Sequence, residues 1–272
     1  MQVIPDRTFP GVHLALVRAM REARVVENLR WQGVDVSRDP AARMYELGGV
    51  CFEVDLGGHE SLDVWRSEIK PNLPWADDHF AERVGGQPLN PGVQWRNWPW
   101  GRSANKFRDE NAAFNHTYAE RLWPRWARRT PRGEFTDSHP RPADDGRLGI
   151  GWRYGDLDDL VELLVRDPYT RQAWIPLFHP EDTGVGDGGR KPCTLGYQLM
   201  RRGDQLSMWY PLRSCDLVHH WADDCYLAVR LLLWVLDRCR SADPDSWTDA
   251  RPGTYGMWIT SLHCFENDKR NL

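Results

Sequence analysis

The stretch Pro192-Cys193-Thr194-Leu195-Gly196-Tyr197-Gln198, followed by Leu206-Ser207-Met208-Trp209-Tyr210-Pro211-Leu212-Arg213-Ser214-Cys215-Asp216, decides how this chain is read. Thr194 to Met200 and Leu206 to Leu212 read as two strands around the turn Arg202-Gly203-Asp204. Cys193 stands at the first strand's start, behind a glycine-rich connection over 182–191. Most cysteines are small interior hydrophobes, but a neighbouring arginine favours the reactive thiolate. Arg213 and Ser214 close the second strand. A guanidinium fork beside a hydroxyl suits a phosphate, although an arginine alone is ordinarily a solvated charge.

Outward from there, Ala222 to Cys239 is the strongest helix, with an apolar middle that predicts a central, buried position. Tyr255 to Phe265 reads as a last strand, Ala173 to Phe178 as an earlier one, and Leu157 to Val165 as a helix stopped before Asp167-Pro168. In the first half, Gly11 to Leu29 has a near-helical period. Met44 to Leu56 alternates as a strand with Val50, Phe52 and Val54 on one face, and Ala76 to Val84 is a short polar-faced helix. Around 85–147 the pattern fails, and Thr130 to Arg147 has the composition of a mobile loop. Strands mixed with a few long helices predict an α/β (α+β) fold with a mixed sheet, and the expectation is one domain over 1–272.

Composition narrows the functions. The formal charge is -4, from 35 Lys plus Arg against 39 Asp plus Glu, which argues against a nucleic-acid binder. Leu231 to Leu236 is too short an apolar run to span a bilayer, and Met1 to Pro10 holds no secretory h-region. Six cysteines without a CxxC spacing read as reduced thiols, so a cytoplasmic protein without a metal centre is expected. Bulky core filling covers most of the 15 tryptophans, and a flat ring ligand stacked between a few of them is the sharper reading.

Taken together, Pro192-Cys193-Thr194 through Gln198, Arg213-Ser214-x-Asp216, a carboxylate eight residues later, and Ser261-Leu262-His263 resemble the thymidylate synthase family. The resemblance is strong over 158–265, weaker over 12–56, and nearly unreadable over 85–147. It implies the thymidylate-synthase fold, a homodimer packed through its sheets, a nucleotide substrate, and 5,10-methylenetetrahydrofolate as co-substrate. It assigns Cys193 as the nucleophile that adds to C6 of a pyrimidine. Arg213 and Ser214 become phosphate ligands, Gln198 a neighbour of the nucleophile, Asp216 the carboxylate serving the folate pterin, and His263 a contact to the sugar 3′-hydroxyl. Arg171 would reach the phosphate of the other subunit. Arg38, ten residues before Gly48, matches the family's mobile phosphate arginine, with Arg43 as the fallback. Glu82, in Leu73-Pro74-Trp75-Ala76-Asp77-Asp78-His79-Phe80-x-Glu82, matches the carboxylate that organises proton transfer, with Asp78 as its rival. Trp95 or Trp98 would stack on the pterin. His219 and His220 would either steer water or simply face solvent.

The departures from the family are informative. Gln172 replaces a second cross-subunit arginine, Thr194 the histidine after the nucleophile, Phe265 a sugar-contacting tyrosine, and Asp224 the base-reading asparagine. An amide facing uracil accepts from N3–H and donates to O4. Cytosine reverses both, and a protonated aspartic acid matches it, donating to N3 and accepting from the amine. An ionised aspartate facing uracil O4 would cost on the order of 1–3 kcal/mol. The competing reading of Asp224 is an acidic helix start, favoured by the helix dipole. Thr194 and Asp224 together resemble the cytidylate hydroxymethylase branch, which implies 5-hydroxymethylation of a cytidine 5′-monophosphate. The altered sugar contact leans this toward CMP over dCMP. Thymidylate synthase proper, acting on dUMP, is the nearest alternative. A catalytically silent nucleotide-binding relative is the other, favoured by the nine residues after His263 where the family has a longer segment.

Overall fold

The computed structural model describes residues 2–27, 29–31, 34–100, 113–114, 116–124, 155–183 and 190–272. The expected loop over 130–147 lies outside them. An eight-stranded mixed sheet takes strands from both ends of the chain. Its order is β1 (Gln2–Ile4), β5 (Met44–Asp55), β10 (Arg251–Phe265), β8 (Gln205–Leu212), β7 (Gly196–Arg202) and β6 (Trp174–Pro176). Two short strands sit off this path: β2 (Arg24–Val26) on β5 and β9 (Cys215–Asp216) on β10. A separate pair joins β3 (Arg30–Trp31) to β4 (Val34–Asp35). β10 runs antiparallel to β5 and parallel to β8. The β7–β8 hairpin turns at Gly203, whose φ of 58° suits a residue without a Cβ.

On β5 the alternation holds: Val50, Phe52 and Val54 are buried toward the helices. α1 (Phe9–Arg21) packs on that strand. Thr8 caps it, its Oγ1 accepting from Gly11 N at 3.2 Å. The expected helix to Leu29 ends eight residues early, because Arg24–Val26 pair with Met44–Glu46 as a sheet edge. Two β-branched valines in a row fit that strand better than a helix.

α6 (Trp221–Ala242) is the central helix. Cys225 through Val229 are buried in succession, so no face of this stretch meets water. It packs on β8 and β10 and against α2 (Leu62–Ile69), α3 (Trp75–Val84) and α5 (Leu157–Arg166). A polar seam sets the position of α3. Both oxygens of Asp223 accept from Asn72, from N at 2.7 Å and Nδ2 at 2.8 Å, while Arg66 and Arg230 hold Asp77. The short α4 (Tyr118–Leu122) lies in the poorly patterned region. Arg121 grips Asp182 with two bonds of 2.6 and 2.8 Å, tying it to the segment after β6. α7 (Pro244–Trp247) leads into β10. Helices α1 to α3 and α5 to α6 thus back one face of the sheet. The opposite face leaves Val3, Trp174 and Trp258 exposed.

Candidate active site

A cavity of about 810 Å3 opens where β8 and β9 end, between the start of α6, the helix α3 and the tryptophan-rich segment after it. Local chain geometry places Cys193 on its wall. Arg213 N donates to Cys193 O at 2.9 Å, and Thr194 bridges to Leu212. The Arg213 guanidinium then closes the loop, donating from Nε to Pro192 O and from Nη2 to Lys191 O, both at 2.7 Å. Burial pushes the Cys193 thiol up, while the charges of Arg213 and Arg190 pull it back toward thiolate. Ser214 Oγ lies 3.3 Å from His263 Nδ1, so the adjacent ends of β8 and β10 present both to the same space.

Asp216 and Asp224 sit in contrasting surroundings. Asp216 accepts from Val218 N at 2.9 Å, His219 N at 3.1 Å and His219 Nδ1 at 2.9 Å. Burial alone would raise its carboxyl. The His219 bond and the nearby His220 and His263 outweigh it and hold the group below its usual value. Asp216 in turn raises His219, and burial takes His220 down to about 4. Asp224, on the first turn of α6, has weak donors: Tyr210 OH at 3.4 Å and Cys215 Sγ at 3.5 Å. Burial pushes its carboxyl up to about 7, although the charge of Arg83 opposes the shift. Behind it, Thr194 Oγ1 lies 2.8 Å from Tyr210 OH and donates to Tyr118 OH at 3.3 Å. The residue after Cys193 is thereby tied to the wall that holds Asp224.

Aromatic rings form the far wall. Trp95 stacks on Phe114 at 3.8 Å and on Trp98 at 4.5 Å. Trp98 and Trp100 meet Trp75 edge to face, and Trp100 meets His220 at 4.3 Å. Among the described residues the buried Trp95 Nε1 has no hydrogen-bond partner.

Cys193, Arg213, Ser214, Asp216, Asp224, His263, Trp95 and Trp98 therefore line one cavity, as do His219, His220 and Phe265. The other expected site residues lie elsewhere in this chain. Glu82 turns toward the segment after α3, accepting from Gln94 N at 2.7 Å, and a Cβ on Gly92 would strike its carboxylate. Asp78 accepts from Asn97 Nδ2 at 2.5 Å. Neither lines the cavity. Gln198 lies on the opposite, open face of the sheet and donates to Arg171 O at 3.2 Å. Arg38, Arg43, Arg171 and Gln172 are exposed.

From α3 the cavity receives Trp75, His79 and Arg83, spaced i, i+4, i+8 on one helical face. That spacing was the available signal for them in the sequence. Asp78 and Glu82 lie one row over on the same side of the helix and turn toward the segment that follows it.

No known protein-family model matches the chain, and no curated protein matches it. Among solved structures, thermostable thymidylate synthase A from Bacillus subtilis is similar at a TM-score of 0.60 and 15% identity. The alignment covers 97% of this chain and 82% of that one. The chain therefore has a thymidylate synthase-like fold, in agreement with the sequence expectation.

Proposed function

We propose that the protein is a methylenetetrahydrofolate-dependent transferase that hydroxymethylates C5 of a cytidine 5′-monophosphate, CMP or dCMP. The observation that carries this reading is Asp224. It is a carboxyl kept protonated toward neutral pH in the same cavity as Cys193, Arg213, Ser214 and His263. A neutral carboxyl held with its hydroxyl toward N3 donates to cytosine N3 and accepts from the 4-amino group, whereas in that orientation it meets the N3–H of uracil donor to donor.

In this reading Arg213 and Ser214 hold the nucleotide phosphate, His263 the sugar, and Asp224 the base. Cys193 thiolate adds to C6, and the electron pair displaced to C5 makes that carbon the nucleophile. The tryptophan wall, with the unpaired Trp95 Nε1, fits a flat heterocycle of pterin size. Methylenetetrahydrofolate bound there would supply the one-carbon unit. Trp95 packs on two rings and Trp98 on Trp95, Trp75 and Trp100, so either indole is a candidate for the pterin. Asp216 fixes His219 in the cavity wall. Once C5 has bonded the one-carbon unit, loss of the C5 proton and departure of tetrahydrofolate would leave an exocyclic methylene on the pyrimidine, water would add to it, and the returning electron pair would expel Cys193 as thiolate. Glu82 is retained only as a residue that shapes the wall through Gln94. To serve as the proton-transfer carboxylate, Glu82 would have to leave Gln94 N and turn into the cavity.

The substrate is decided by tritium release from 5-tritiated CMP, dCMP and dUMP, each with methylenetetrahydrofolate. Release from a cytidylate without dihydrofolate is the expected result. Stoichiometric dihydrofolate from dUMP would make the protein a thymidylate synthase instead, a reading the fold accommodates equally. No release from any of the three would leave a nucleotide-binding relative.

We further propose that the chain acts as a homodimer, one domain per subunit, through the open face of the sheet. That face carries Trp174 and Trp258, 42% and 47% exposed, around a groove of about 620 Å3 containing Gln198. Arg171 and Arg38, exposed in one chain, would then be available to the partner's phosphate. Sedimentation at micromolar concentration is expected to show a dimer, and an active monomer would remove this assignment.

A further inference from the structure

We propose that His79 Nδ1–H is a fixed hydrogen-bond donor for an acceptor atom, a carbonyl oxygen or a ring nitrogen, of a flat heterocycle bound in the cavity. Arg83 Nε and Nη2 both approach one atom, His79 Nε2, at 3.2 and 3.0 Å. A guanidinium keeps its protons and has no acceptor. Nε2 must therefore offer its lone pair. Burial, and then the charge of Arg83, hold the ring well away from the imidazolium form. A neutral imidazole with a bare Nε2 carries its one proton on Nδ1.

That Nδ1 is buried and has no partner among the described residues, in a residue only 7% exposed that lines the cavity. Buried polar groups are nearly always paired, and one left unpaired in a ligand-sized space points to the ligand. The ring stacks on Trp75 at 5.0 Å. On its other side Arg83 bonds Tyr197 OH at 3.1 Å and faces Asp224. His79 thus stands between the base-reading carboxyl and the tryptophan wall. It acts as a donor and not as a general base, because its lone pair is committed to Arg83. The donor role follows from geometry alone, while the identity of the heterocycle rests on the nucleotide and folate reading above.

The test uses the full chain labelled with 15N-histidine, with His79 assigned by its loss in His79→Asn. Long-range proton–nitrogen correlations are expected to show a neutral ring protonated at Nδ1, unchanged between pH 5 and 8. An Nε2–H tautomer or an imidazolium in that range overturns the inference. CMP, dUMP and tetrahydrofolate are then added singly and in pairs. A shift of the His79 Nδ1–H with a nucleotide places the acceptor on the pyrimidine, and a shift with the folate places it on the pterin. Ligands that move other resonances but leave Nδ1–H in place refute the donor role while sparing the functional reading. If no ligand moves anything, the functional reading fails, and the tautomer alone decides whether His79 is a donor.

His79→Phe and His79→Asn provide a second measurement. Both remove the acceptor facing Arg83, but asparagine keeps a donor near the place of Nδ1. Affinity for the ligand that moves Nδ1–H should be about tenfold weaker in the phenylalanine variant than in the asparagine variant. Equal affinities would contradict the proposal.

Discussion

Cys193→Ser is expected to lower tritium release by roughly 10³-fold or more while leaving nucleotide binding within a few-fold of the parent. A serine hydroxyl has no accessible anion at neutral pH, whereas the thiol, raised by burial, is drawn partly back toward thiolate by two arginines. Binding should survive because the clamp is built from backbone. Arg213 bonds the carbonyls of Lys191 and Pro192, and its own N–H bonds that of Cys193, so none of these contacts involves sulfur. Cys51→Ala is the matched control. Cys51 lies on the open sheet face, outside the cavity, and its loss should leave the rate unchanged. A serine variant within tenfold of the parent rate would show that no covalent adduct forms at Cys193. Loss of rate in the Cys51 variant would point instead to a general sensitivity of the fold.

What could be read in advance divides along a physical line. Strand alternation and the apolar middle of α6 depend on periodicity, and so β5, the β7–β8 hairpin, β10 and the central helix emerge close to where they fold. The spacing from Cys193 through Asp216 to Asp224 is held by a hairpin and a helix start, with no variable loop between them, so those residues converge in the structure as they do in the sequence. Glu82 is different. It shares a broad side of α3 with Trp75, His79 and Arg83, so helical period alone does not separate them. Only the contact of α3 with α6, through Asn72 and Asp223, determines that His79 and Arg83 face the cavity and Glu82 faces Gln94. The same holds for β2, where β-sheet pairing overrides a helical period. Gln198 shows the limit of spacing within a strand. Alternation puts it on the face opposite the cavity, although it is only five residues from Cys193.

Replacing Asp224 by asparagine should reverse the choice of base and remove a pH dependence of stability at the same time. An amide held with its oxygen toward N3 accepts from uracil N3–H and donates to O4, so in that orientation two matched bonds become available to dUMP and two are lost to CMP. The ratio of kcat/KM values for the two nucleotides should swing by roughly 10²-fold, about 3 kcal/mol. The sign of the stability effect follows from the raised pKa, about 7 in the fold against an ordinary 3.8. Below 3.8 the carboxyl is protonated in both states and costs nothing. Between the two values the unfolded chain releases its proton while the folded chain keeps it. Stability therefore falls as pH rises through that window, by about 1.4 kcal/mol per unit at its steepest. Above 7 the folded group ionises and the loss levels off. Asparagine does not titrate, so its melting temperature should exceed the parent's by a margin that widens from pH 4 to 7 and is constant beyond. Turnover of the cytidylate by the parent should fall above pH 7, as the donor to N3 is lost, and binding of the nucleotide should weaken in parallel. Asparagine at position 224 with an unchanged cytosine preference would mean that the carboxyl does not read the base. A margin in melting temperature that stays flat across pH 4 to 7 would mean that it is already ionised in the folded protein.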